Sequence, residues 1–579
     1  MKRLILTALA ALAAAGCADE SSDITAAELG RTFLPCALGQ GVQLAVGEAL
    51  TLRGEQASVL CVQAGGEGGD YTLVPFFATS NGLARLRVEA IGGNLDAPTG
   101  PPNPSLAPAE PQRDHQLHIN LRERMRGDLS PLIRRGAARA SRLPAARASA
   151  AAAAAAVPEV GSIISVNIPR FYLDPERFPV CDAGYVTRQA RVAAVTERAI
   201  LVNDPANPPG GLTDAELRAF GDEFDRQIYP VDVQNFGAPT DLDGNGRVII
   251  VFTREVNELT PRGNGGYVGG YFFAGDLFPR VATPSLGACA RSNQGEIFYL
   301  LAPDPTGTIN GNRRSRELVL STGPGTIAHE FEHLINSGRR IYVNDADTFE
   351  ETWLDEGLAH VAEELNFYAA SGLAPRQNLD LARLNGLSGS GRVGDAFYKY
   401  ALDNLGRYLT YLQAPDSNSV IGEDLLETRG GSWAFLRYAA DRHEGDDQPF
   451  FFRLVNSRIS GIPNMRQVIT DSPIDWAQDW TLSVYTDDAV PGVEPRFMQP
   501  SWNFRSVMPK VAELYQEGST FPLLVHSLAS GASQSYNIRG GGATYLRFGI
   551  GASGRVGLRL TQDESVPPSS LRFSLVRTR

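Results

Sequence analysis

From residue 160 to about residue 499 the chain is dense in aromatic residues and alternating apolar positions, a pattern that predicts a mixed domain of helices and strands. Its two ends read differently. Residues 42–46 and 71–77 are short β-prone runs parted by Gly65-Gly66-Glu67-Gly68-Gly69, and they predict a small β-domain over residues 30–97. The runs at 521–525, 543–548, 557–560 and 571–576 predict a second, sandwich-like β-domain over residues 505–579. Between the first β-domain and the mixed domain, prolines (Pro98, Pro101, Pro102, Pro104, Pro108, Pro111) give way to arginines and then to the alanines of 150–156. Residues 98–157 therefore read as a partly helical linker, with a cleavable pro-segment or a membrane-surface helix as the alternatives. Within the mixed domain, assigned to 158–500, residues 326–337 have helical periodicity, with Gly338 as the expected stop and Arg339 and Arg340 beside the C-terminal dipole. Residues 248–252 predict a buried strand, and no internal repeat is present.

Composition narrows the classes. The chain of 579 residues is long enough for about two to four domains. Apolar content of 43% with 20% charged residues is ordinary for a globular protein. A formal charge of −12 argues against nucleic acid as a partner, because such binders carry a basic footprint. Met1-Lys2-Arg3 followed by the uncharged run at 4–15 is too short to span a membrane and fits a signal peptide. It ends in Ala14-Ala15-Gly16-Cys17, which resembles the lipobox of bacterial lipoproteins. Residues 1–17 are thus the expected leader and Cys17 the expected lipid anchor, which would place the protein in the bacterial envelope. Ordinary cleavage and secretion is the alternative. With Cys17 set aside, four cysteines remain, and the simplest pairing in an oxidising compartment is Cys36 with Cys61 and Cys181 with Cys289. No two cysteines have CxxC spacing, which argues against a thiol zinc site.

The chemistry concentrates at 326–340, TIAHEFEHLINSGRR. On a helix His329 and His333 stand one turn apart on one face, where both imidazoles can bind one zinc ion at about 2.0–2.1 Å. Glu330 lies one residue round, within reach of a bound water as general base. A catalytic zinc needs a third protein donor. The positions that a metzincin fills with glycine and histidine hold Asn336 and Arg339, which excludes that class. Residues 349–364 read FEETWLDEGLAHVAEE, in which Trp353-Leu354-Asp355-Glu356-Gly357 resembles the W-L-N-E-G segment of gluzincin peptidases. That resemblance makes Glu356 the third ligand, with Glu350 and Glu351 as competitors outside the matching context. His360 stands where thermolysin-like enzymes carry an aspartate that orients a ligating histidine. It reads as an orienting group or a spectator, with a transition-state donor as a further alternative, and it is the replacement ligand should Glu356 not serve.

Other features leave alternatives open. Candidate oxyanion donors are His360, Tyr398, Tyr400, Tyr438 and His443. Residues 296–301 suit either an edge strand that pairs with substrate or a central core strand. Asp241, Asp243 and Asn245 open like an EF-hand calcium loop, but Phe252 occupies the place of the bidentate glutamate. An Asx turn explains them without an ion, and a partial Ca2+ site is the alternative.

Taken together, DLDGNGRVIIVF, GGYVGGYFFAGDLFP, SNQGEIFYLLAPDP, TIAHEFEHLIN, ETWLDEGLAHVAEEL and RGGSWAFLRYAADR resemble the hyicolysin-type neutral zinc metallopeptidases across roughly half the chain. The resemblance implies an α+β, thermolysin-like gluzincin catalytic domain at 158–500 between β-rich accessory domains. It further implies Zn2+ on His329, His333 and Glu356, Glu330 as general base, and hydrolysis of peptide bonds in proteins or peptides. A catalytically inactive, metallopeptidase-like binding lipoprotein of the cell surface is the competing reading. Latency, with residues 98–157 covering the cleft, is a third.

Overall fold

A computed structural model describes residues 41–91, 93, 95–98, 115–137, 156–172, 181, 184–263, 266–422, 426–469, 471–528, 530–531 and 533–579. Side chains are described from Arg122 to Ile133 in the helix at 115–137, and from Arg429 onward in that at 426–442. The expected leader, Cys17 and Cys36 lie outside the described residues.

Four strands come from the N-terminal part, β1 (Ala49–Arg53), β2 (Val59–Gln63), β3 (Gly69–Phe77) and β4 (Leu83–Ile91). Six cross the middle of the chain: β5 (Ile163–Pro169), β6 (Tyr185–Val195), β7 (Ala199–Asn203), β8 (Val248–Thr253), β9 (Gly270–Phe272) and β10 (Ile297–Leu301). Five close the sequence, β11 (His526–Ser527), β12 (Ser533–Arg539), β13 (Leu546–Ile550), β14 (Arg555–Gln562) and β15 (Leu571–Arg577). The first and last groups do not form separate sheets. They interleave as β1-β15-β3-β13-β11 and β12-β4-β14-β2, and both sheets contribute to one core that includes Leu60, Tyr71, Leu86, Phe548, Leu558 and Phe573.

The two accessory β-domains expected at 30–97 and 505–579 are therefore one sandwich built from both. Alternation along a strand reveals which face is buried but not which distant strand covers it. In β4, Ala84, Leu86 and Val88 point inward while Leu83, Arg85 and Arg87 face out. Two runs expected as strands, 42–46 and 521–525, lack ladder structure apart from a bridge at Val42. The sandwich seats on the middle domain through β3, whose Val74 and Phe76 join the larger core, and through Tyr545, whose hydroxyl donates to the Thr481 carbonyl at 2.9 Å.

The middle sheet has the order β5-β6-β7-β8-β10-β9, with β7, β8 and β10 parallel and β9 antiparallel at one end. All five residues of β10 are buried and the strand is paired on both sides, so 296–301 is the core-strand alternative and not an edge. Five helices matter to the site: α1 (His115–Ala137), α2 (Arg316–Tyr342), α3 (Thr352–Ser371), α4 (Leu402–Gln413) and α5 (Leu426–Arg442). Ser315 caps α2, accepting from Leu318 N at 3.1 Å. α2 packs across β9 and β10, α3 lies beside it, and α5 covers α3 and α4.

Gly338 does not stop α2, which runs on to Tyr342. A Cβ at Gly338 would meet the Thr240 hydroxyl at 2.9 Å, so the glycine serves close packing inside a buried helix. Tertiary burial outweighs its poor helix propensity.

Candidate metal centre

α2 and α3 converge so that Nε2 of His329 and Nε2 of His333 stand 3.1 Å apart. Oε2 of Glu356 is 3.3 Å from the first and 3.8 Å from the second. A tetrahedral ion with bonds of about 2.0–2.2 Å requires donor atoms roughly 3.3 Å apart. Two imidazoles set nearly at right angles, with a carboxylate oxygen near both Nε2 atoms, are a donor set that suits zinc. The residues present fit the metal. All three are buried, with Glu356 and His333 at 0% exposure. Gly357 brings α5 against this part of α3, since a Cβ there would lie 2.7 Å from Leu436.

The outward nitrogens are held as well. Nδ1 of His329 lies 2.8 Å from Oε1 of Glu363, and Nδ1 of His333 lies 3.1 Å from Oδ2 of Asp355. Such contacts fix the tautomer that offers Nε2 to a metal. His360 falls in a second candidate group, with His329 and Glu363. Its Nδ1 shares the same Glu363 oxygen at 2.7 Å, its ring centroid is 4.5 Å from that of His329, and Asn404 donates to its carbonyl. Its Nε2 is buried without a hydrogen-bond partner among the described residues. Glu363 thus holds the orienting position for which 360 was the sequence candidate.

Electrostatics follow from burial and pairing. Burial pushes the Glu356 carboxyl upward, but Arg429, His329, His333 and Arg122 hold it well below the usual carboxylate range. Burial opposes charge on His329, yet its hydrogen bonds to Glu356 and Glu363 raise it to about 9. Burial and the Arg122 charge lower His333. Burial dominates at His360, which falls to about 3. Glu363, pushed up by burial, is brought down to about 2 by His360 and His329.

Glu330 is 2% exposed and accepts from Nη2 of Arg122 at 3.1 Å. Nε of Arg122 is also 3.3 Å from Oε1 of Glu356, and Nη1 of Arg429 is 3.2 Å from Oε2. Glu350 and Glu351, the competing carboxylates, lie elsewhere. Glu350 takes Arg340 at 3.0 Å, Gly461 N and Asn464 Nδ2, while Glu351 accepts from Trp353 Nε1. Of the five oxyanion candidates only His360 adjoins the centre. Tyr398, Tyr400 and Tyr438 donate to the Leu387 carbonyl, Glu223 and the Arg496 carbonyl, and His443 stacks near Phe450.

At the calcium-like loop, Asp243 accepts from Asn245 N, Asp241 from Gly246 N, and Asn245 Oδ1 from Arg247 N. These are the contacts of an Asx turn. Asp241 and Asp243 gather with Glu296, and the Asn245 amide donates to Asp243 as well. Cys181 and Cys289 form a disulfide, and Cys61 is disulfide-bonded.

Sequence reasoning missed Asp355, Glu363, Arg122 and Arg429 as parts of the centre. Asp355 precedes Glu356 and Glu363 follows it by seven residues on one helical face, so helical spacing held a signal for Glu363. Nothing local marks the two arginines.

A buried helix pair that presents two imidazoles and a carboxylate beside a second carboxylate is a donor set that can hold a metal ion. No family model matches the chain. It is 28% identical over 239 residues to the neutral metalloprotease ShpI of Staphylococcus hyicus, a match that takes in 40% of this chain and 50% of that protein. The chain thus spans about half the length of this curated relative. The similarity supports a metallopeptidase relationship. No helix among the described residues is long and apolar enough to cross a membrane.

Proposed function

We propose that the protein is a zinc endopeptidase of the gluzincin type, acting on proteins or peptides outside the cytoplasm. The observation that carries this reading is the convergence of His329 Nε2, His333 Nε2 and Glu356 Oε2 beside Glu330. Zinc on those three donors would supply Lewis acidity toward the scissile carbonyl and acidify a water. Glu330 takes a proton from the attacking water and returns it to the leaving amine. Glu363 and Asp355 keep the two imidazoles turned toward the metal position. Arg429, beside Glu356, and His360, beside His329, are the candidate donors to the oxyanion. The Cys181–Cys289 disulfide supports an oxidising compartment. An anchor at Cys17 belongs to the same proposal. Against the inactive binding-lipoprotein reading stands the presence of Glu330 together with all three proposed ligands in the sequence.

The test pairs zinc content with cleavage of a labelled casein, in the chain and in Glu330→Gln. Stoichiometric zinc in both is expected, with cleavage reduced about 10²–10⁴-fold in the variant. Cleavage that survives the substitution, or a protein that takes up no zinc at neutral pH, overturns the reading.

A further inference from the structure

The centre as it stands is buried. Glu330 is 2% exposed, Glu356 and His333 0%, and His329 6%. What closes it is α1. Arg122, Met125, Leu129 and Ile133 follow one another along a single face of that helix and are all buried, at 5, 3, 0 and 4% exposure. The opposite face, with Glu123, Gly127, Asp128 and Pro131, is exposed. The helix lies against α3 and against the turn Ala274–Leu277 that follows β9, the end strand of the sheet. It therefore bridges the two walls between which a peptide would have to lie.

Two polar contacts fix its seat: the Ser130 hydroxyl meets that of Thr348 at 3.0 Å, and Gly287 N donates to the Leu132 carbonyl at 2.9 Å. A Cβ at Gly287 would sit 2.7 Å from Leu132 Cδ2, so the loop is shaped to the helix. Arg122 then reaches the chemistry itself. Its guanidinium bonds the Glu330 oxygen that would receive the proton of water and pairs with a metal-ligating carboxylate. A fixed cation there also opposes entry of a divalent ion.

We propose that α1 is an inhibitory segment, closing the centre through Arg122, and that the peptidase reaches its full rate only once α1 has left the cleft. This rests on the peptidase reading of the same site. It requires no change in the centre, only withdrawal of a helix whose outer face is already solvated.

The experiment uses the full chain and two variants, Leu129→Asp, which unseats the helix, and Arg122→Ala, which removes only the plug. Zinc affinity is measured by competition with a chromophoric chelator, and turnover with an internally quenched peptide. Leu129→Asp is expected to raise turnover and to tighten zinc binding, each by at least about tenfold, a lower bound because losing one buried leucine weakens the seat by more than that factor. A synthetic peptide of residues 115–137 should restore inhibition, and the same peptide carrying Arg122→Ala should do so more weakly.

Equal zinc affinity and equal turnover in wild type and variants overturn the proposal. So does lower turnover in Arg122→Ala, which would make Arg122 part of the catalytic machinery. Tighter zinc binding in the variants with no turnover in any chain upholds the plug while rejecting the peptidase reading. If Leu129→Asp does not fold, Arg122→Ala keeps the three apolar seats and decides the same comparison.

Discussion

Glu363 separates charge from geometry at the centre, because one of its oxygens serves two rings. Oε1 lies 2.8 Å from Nδ1 of His329 and 2.7 Å from Nδ1 of His360. Both Nδ1 atoms are then the protonated nitrogens, and Nε2 of His329 faces the metal position with its lone pair. Glu363→Gln leaves a carbonyl oxygen in place and removes the charge that helps to raise His329. Glu363→Ala removes the acceptor too and strands two buried N–H groups, at about 1–3 kcal/mol each. Loss of an orienting partner costs roughly 10–100-fold in metal affinity. Glu363→Gln should therefore fall near the tenfold end, and Glu363→Ala near or beyond a hundredfold. Competition with a chromophoric chelator at pH 8 measures both, with circular dichroism to confirm that each variant is folded. Unchanged affinity in Glu363→Ala would refute the assignment of Glu363 as the group that orients His329. A loss in Glu363→Gln as large as in Glu363→Ala would refute the division between charge and acceptor.

Two further outcomes follow from buried charges. Glu350→Ala leaves Arg340, at 0% exposure, without its carboxylate and frees Gly461 N and Asn464. A loss of about 3–5 kcal/mol is expected by urea unfolding, and one below about 1 kcal/mol would contradict the pairing. The metal-free protein should lose stability as pH rises from 6 to 9. His329 has a folded pKa raised to about 9 from 6.5, so its contribution is complete below pH 6.5 and lost as pH passes 9. That shift amounts to roughly 3 kcal/mol. Burial raises Asp276, Glu296 and Glu364 to about 7 and Asp487 to about 8, and these neutral carboxyls push in the same direction. Denaturant midpoints of chelator-treated protein that stay level or climb over this range would refute the sign.

What the sequence disclosed and what it hid divide along the reach of the interactions. His329, Glu330 and His333 lie within five residues, and helical geometry alone aligns them. Glu356 was reached through its Trp-Leu-Asp-Glu-Gly setting, and the structure gives that setting a cause, since Gly357 admits α5 and Asp355 faces His333. The sandwich was misdivided because β1 pairs with β15 and β3 with both β13 and β15. Pairings between chain ends leave no mark in the period of either strand. Arg122 was hidden for a related reason. In a run of arginines, Arg122, Arg124 and Arg126 look alike, and helix formation explains all three equally well. What distinguishes Arg122 is its phase with Met125, Leu129 and Ile133. A basic residue in register with an apolar stripe sets the charge at the edge of the buried face, where it must find a carboxylate or remain unpaired. Here the carboxylates it finds are the expected general base and a ligand of the proposed metal. Within 98–157, α1 departs from a solvated segment on that ground, because it buries an arginine against Glu330 and Glu356.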